Sequence, residues 1–102
     1  MQVKAGSRLK SAACESEVIV VRAPAGDVDL RCGGAPLVDI GADRPSGVAV
    51  DPAHSAGTLL GKRYADEDLG IEVLCTKAGS GSLSIGNEPL GVKQAKPLPA
   101  SD

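Results

Sequence analysis

Between residues 33 and 57 a glycine or proline recurs every few positions, from Gly33, Gly34 and Pro36 through Pro45 and Gly47 to Pro52 and Gly57. No run there is long enough for an ordinary helix before a residue that ends one, so short strands and turns are expected. The flanking segments carry strand patterns. "EVIVVRA" (17–23) is a β-branched apolar run, suited to a central strand buried on both faces. Ala23-Pro24-Ala25-Gly26 has the composition of a type I turn, which predicts a hairpin between that run and "DVDLRC". In the second arm Val28, Leu30 and Cys32 alternate with Asp27, Asp29 and Arg31, which places Cys32 inward.

Further along, "LVDI" and "GVAV" each read as a brief strand. A stronger hairpin is expected where "GTLLGKRY" and "IEVLCTK" flank the acidic loop "ADEDLG", with Ile71, Val73 and Cys75 on one face and Glu72, Leu74 and Thr76 on the other. "GSLSI-GN-EPL" predicts a tight hairpin whose second arm, because of Pro89, lies at a sheet edge. One internal echo sets "VDLRCGGAP" (28–36) against "IEVLCTKAG" (71–79). The fold class expected is all-β: a single small domain over residues 1–92, a sandwich or partly open barrel of short antiparallel strands. The tail 93–102 is expected to be extended or mobile.

The chain has 102 residues, no Phe or Trp, and Tyr64 as its one aromatic. Its core must therefore come from Val, Leu, Ile and Ala, which bury less area per residue than rings do. That leaves room for help from a metal, a partner subunit or economical packing of small side chains. A net charge of -2 and the lack of stacking residues argue against nucleic acid. No apolar run approaches the length of a membrane span, so no membrane partner is expected. Lys4, Arg8 and Lys10 before "SAAC" have the look of a leader, but no apolar segment of about 7 to 15 residues intervenes. The location expected is cytoplasmic, where thiols stay reduced; three cysteines cannot all pair within one chain.

Cys14, Cys32 and Cys75 lack the close C-x2-C spacing of most structural zinc sites. Strand neighbours can still converge distant cysteines. The candidate metal ligands are Cys14, Cys32, Cys75 and His54, with Glu17 or Asp51 as other fourth donors, and the candidate ions are zinc and iron. The alternative is that all three thiols are small buried apolar groups. A catalytic thiol would need a base, and His54 is the one imidazole.

The segment "CESEVIVVRAPAGDVDLRCGGAPL" (14–37) resembles a desulforedoxin-like metal domain of the rubredoxin type. It shows a cysteine knuckle, an apolar strand, a glycine-bearing turn, a second strand and a Cys-Gly knuckle that ends in Pro and an apolar residue. The resemblance covers about a quarter of the chain and implies iron or zinc held by four cysteines at a hairpin base. Cys14 and Cys32 fall on ligand-like positions. Glu17 stands where the family has its second cysteine, and Gly33 lies beside a single cysteine in the second knuckle, so half of the ligand set is missing.

His54 lies near Asp51 and Ser55, but residues this close in sequence seldom converge on one reacting atom, and an exposed loop histidine is expected. "KAGSGSLS" (77–84) reads as a flexible connection or a glycine-rich anion nest. Asp66-Glu67-Asp68 reads as a solvated turn balanced by Lys62 and Arg63. With so few groups for acid-base work, no catalytic residue is assigned. The function expected is a non-enzymatic binding or accessory module that meets a protein partner or its own copy through a sheet edge or apolar face. A cysteine-ligated zinc or iron domain is the alternative, and a small-ligand binder or small enzyme the second.

Overall fold

The computed structural model of the chain describes residues 1–93. It is all-β, as expected: among the described residues there are ten strands, one 3₁₀ turn (Pro52–His54) and no α-helix. The strands are β1 (Arg8–Lys10), β2 (Glu17–Arg22), β3 (Leu30–Cys32), β4 (Ala35–Pro36), β5 (Val38–Asp39), β6 (Arg63–Asp66), β7 (Ile71–Lys77), β8 (Leu83–Ile85), β9 (Glu88–Pro89) and β10 (Gly91–Val92). One sheet runs β10-β6-β7-β2-β1-β5 and the other β4-β3-β8-β9, with every pairing antiparallel. Neither sheet closes into a barrel. No helix among the described residues is long and apolar enough to cross a membrane.

Both strand orders read the same when β1–β5 are exchanged for β6–β10. The registers repeat as well. Arg8 faces Ile19 across β1 and β2, and Arg63 faces Leu74 across β6 and β7, each residue 55 positions before its counterpart (8 to 63, 19 to 74). In the smaller sheet Leu30 faces Ile85 and Cys32 faces Leu83, a pairing symmetric for an offset of 53 (30 to 83, 32 to 85). The offset shortens because the β2–β3 connection, residues 23–29, is two residues longer than the β7–β8 connection, 78–82.

Backbone bonds outside the ladders follow the same rule. The Gly6 amide donates to the Val20 carbonyl at 2.7 Å and Gly61 to Cys75 at 2.9 Å. Leu37 donates to Leu30 at 3.1 Å and Leu90 to Leu83 at 3.0 Å. Gly6 and Gly61 both have positive φ, 92° and 80°, a conformation in which a side chain is strained. The chain is thus an internal duplication folded about a pseudo-two-fold axis between β2 and β7 in one sheet and β3 and β8 in the other.

The sequence supports that correspondence once the offset is known. "EVIVVRA" (17–23) matches "EVLCTKA" (72–78), and "LRCGGAPL" (30–37) matches "LSIGNEPL" (83–90). The echo of 28–36 with 71–79 sets the wrong strands together: β7 is the counterpart of β2, and β8 that of β3.

One apolar core serves both sheets, centred on Val18, Val20, Leu30, Cys32, Val73, Cys75 and Leu83. Each such aliphatic side chain contributes about 1.5 to 3 kcal/mol by leaving water. Val28, Leu30 and Cys32 point inward as expected, as do Ile71, Val73 and Cys75. The β6–β7 and β8–β9 hairpins form as expected, with Pro89 on an edge strand.

Other expectations need correction. β2 and β3 do not form a hairpin, because β2 is already paired on both sides, with β1 and β7, and β3 joins the other sheet. β2 is central but not buried on both faces, since Val21 is exposed. "GVAV" forms no strand. Lys93, the first residue of the expected tail, donates its amide to the Arg63 carbonyl; residues 94–102 lie outside the described residues.

Candidate functional site

The β1–β2 turn and the end of β3 bring two of the three cysteines together. Cys14 Sγ lies 3.9 Å from Cys32 Sγ. Cys14 is half-buried and Cys32 fully buried, and both thiols are free. Cys75 is buried on β7 and donates to the Lys77 carbonyl at 3.2 Å.

The turn that presents Cys14 is set by Ser11, whose hydroxyl accepts the amides of Ala13 and Cys14, each at 3.0 Å. Asp66 does the same at the equivalent turn of the second half, where its Oδ1 accepts the amides of Asp68 and Leu69 at 3.0 and 3.2 Å. Ser11 therefore serves the shared frame.

Other contacts belong to the thiol site alone. Cys14 Sγ lies 3.3 Å from the Ser16 hydroxyl, and the Gly81 amide donates to it at 3.4 Å. The position equivalent to Ser16 is Ile71. The connection 78–82 can lie this close because Gly79 and Gly81 lack side chains. A Cβ on Gly81 would come within 2.9 Å of the Gly33 backbone and 3.2 Å of Cys14 Sγ, and one on Gly79 within 2.6 Å of the Ser16 nitrogen. Buried Thr58 holds the connection in place: its hydroxyl donates to the Gly81 carbonyl, and it exchanges backbone bonds with Gly79. The segment 77–84 is thus a fixed connection that aims an amide at sulfur.

These donors govern the acidity of the pair. Burial pushes the Cys14 thiol up, but hydrogen bonds from Ser11, Ser16 and the backbone at Ser16 and Gly81 outweigh it and bring it down to about 7. Burial, with the charge of Cys14 beside it, pushes Cys32 up to about 11. Burial also raises Cys75. One thiol of the pair is ionised near neutrality while its neighbour stays protonated.

His54 is buried, not exposed. It ends the 3₁₀ turn that Asp51 caps by accepting the Ala53 amide at 2.9 Å, and its carbonyl accepts the Ser82 amide at 2.9 Å. No hydrogen bond joins its ring to a sulfur among the described residues. A zinc or iron centre of the expected kind needs four donors. The thiol pair supplies two, and among the described residues no group of three or more His, Cys, Asp or Glu is placed to hold a metal ion.

A second feature lies on the second half, where Ala53, Ala56, Leu59, Tyr64, Leu90 and Val92 help to line a groove of about 360 Å³. Leu59, Leu60 and Val92 are 58%, 67% and 46% exposed. Their equivalents in the first half are Lys4, Ala5 and Asp39, so the frame does not require apolar residues there. On the opposite face of the β6–β7 pair from Tyr64, Glu72 is buried and accepts from Lys93 Nζ at 2.7 Å and Arg63 at 3.3 Å. The Lys93 bond holds its carboxyl below the ordinary carboxylate range against the opposing effect of burial.

No family model, no curated protein and no solved structure matches the chain.

Proposed function

We propose that the protein is a binding module whose contact face is the apolar groove of the second half, and that this face takes a second copy of the chain. The observation that carries the reading is the break in internal symmetry. Leu59, Leu60 and Val92 stand exposed where the first half places Lys4, Ala5 and Asp39. A side chain that water would rather exclude, at positions where the fold accepts a charge, points to a contact surface.

Self-association is favoured over another partner because the exposed Leu59 and Val92 themselves line a groove of about 360 Å³, so one patch offers both an apolar projection and a place to receive it. A two-fold interface needs such self-complementarity. Among the described residues no charged side chain lines the groove, so two copies meet there without like-charge repulsion. β10 at the sheet edge also offers backbone groups for pairing with its equivalent.

Light scattering on the full chain across a wide concentration range tests the reading. A reversible monomer–dimer equilibrium is expected, shifted toward monomer by Leu59→Lys. A monomer at every concentration, or a dimer that Leu59→Lys leaves unchanged, would overturn it.

A further inference from the structure

We propose that Cys14 and Cys32 are a reversible dithiol–disulfide pair, in which Cys14 reacts with a hydroperoxide and Cys32 resolves the product. The sulfurs sit 3.9 Å apart, so bond formation at about 2.05 Å needs a closure of under 2 Å between two side chains. Cys14 is the accessible member and Cys32 lies behind it with no exposed surface. This order is the one a reacting and a resolving thiol need.

The surroundings of Cys14 suit a sulfur that carries charge. The Gly81 amide and the Ser16 hydroxyl both lie within hydrogen-bond reach of Sγ, and Thr58 fixes the connection that delivers the amide. Internal symmetry separates this arrangement from the needs of the fold. The positions equivalent to Cys14 and Cys32 are Leu69 and Ile85, and that equivalent to Ser16 is Ile71; the strand register matches, while the second turn passes through Gly70 at positive φ and leaves Leu69 exposed. Ile71 and Ile85 pack on the core at the places of Ser16 and Cys32, so the serine and the buried thiol answer to something other than strand packing.

The chemistry balances with hydroperoxide as the two-electron oxidant. The Cys14 thiolate attacks the terminal peroxide oxygen; an S–O bond forms, the O–O bond breaks, and the alkoxide or hydroxide that departs takes a proton from water. Cys14 is then a sulfenic acid. The Cys32 sulfur attacks the Cys14 sulfur, an S–S bond forms and the S–O bond breaks. The departing hydroxide combines with the Cys32 proton as water. An external dithiol reverses the sequence by thiol–disulfide exchange.

The test uses the full chain, reduced, freed of reductant under anaerobic conditions, and exposed to stoichiometric hydrogen peroxide at neutral pH. Digestion without reductant and mass spectrometry should recover a Cys14–Cys32 cross-linked peptide within one chain, with Cys75 still open to alkylation after denaturation. Dithiothreitol should restore both thiols. In Cys32→Ser the sulfenic acid should persist, with dimedone labelling Cys14 about tenfold or more above Cys75. Cys75→Ser should give the same disulfide yield as the wild type.

Because the decisive measurement is made on the unaltered chain, a variant that fails to fold does not blunt it. Recovery of wild-type Cys14 as free thiol or sulfinic acid, or paired with Cys75 or with a second chain, would overturn the proposal. So would one equivalent of zinc or iron bound per chain after purification without added metal, with oxidation of the pair blocked until the metal is removed.

Discussion

At the scale of single residues, Cys14 and Glu72 hold charge for different reasons. Cys14 is held near 7 by donors aimed at its sulfur, while burial keeps Cys32 near 11. Alkylation of the native chain followed against pH should therefore show Cys14 reacting with a midpoint close to 7, with Cys32 protected until the solution is strongly alkaline and buried Cys75 slower than Cys14. Equal rates for all three thiols would contradict this. The linked effect on stability has a definite sign. A thiol whose folded value lies below its unfolded one adds stability above the unfolded value, and that increment is lost as pH falls through about 7. Glu72 follows the same sign at lower pH, because Lys93 and Arg63 depress it. Its contribution is present above the ordinary carboxylate range and disappears as the solution is acidified through it. Glu72→Gln should cost about 1 kcal/mol at neutral pH, after allowance for the exposure of both cations. In chemical denaturation the gap from wild type should close in acid.

At the scale of elements, the glycine-rich connection between β7 and β8 is where packing and chemistry meet. Its two glycines let the backbone lie on Ser16, Gly33 and Cys14, and an added Cβ on Gly79 would collide with both the nitrogen and the hydroxyl of Ser16. Gly79→Ala should cost about 1 to 3 kcal/mol by overpacking and slow alkylation of Cys14, read from melting curves and labelling rates. Gly26→Ala, with nothing within 4 Å of the new Cβ, is the control and should leave both unchanged.

Much at this level was legible in the sequence. Alternation placed Cys32 and Cys75 inward, and Gly86-Asn87 with Pro89 gave a tight hairpin with an edge arm. What alternation could not supply was pairing between distant strands. Nothing local tells "EVIVVRA" that its second neighbour is β7 rather than β3, because that choice is made by burial across the whole core. Ser11 and Ser16 were missed for a related reason. A serine three residues before a cysteine, or two after it, carries no pattern of its own until a turn brings its oxygen to an amide or a sulfur.

At the scale of the whole molecule, the duplication explains how 102 residues with one aromatic make a stable core. The axis joins the halves through the two innermost strand pairs, β2–β7 and β3–β8, and residues of both halves share one core. The signal was present in the paired "EV…A" and "L…G…PL" segments, but the two-residue difference between the connections put the halves out of step. The duplication also gives each position an internal control, since whatever both halves share belongs to the fold. Cys14, Cys32 and Ser16 differ between the halves, and so do Leu59, Leu60 and Val92; on the reading proposed here, such differences mark function. The most direct test replaces the exposed apolar residues by their first-half equivalents, Leu59→Lys, Leu60→Ala and Val92→Asp, and follows mass by light scattering alongside the melting temperature. A chain that becomes monomeric while melting within a few degrees of the wild type is the predicted result; one that still associates, or no longer folds, would contradict the account.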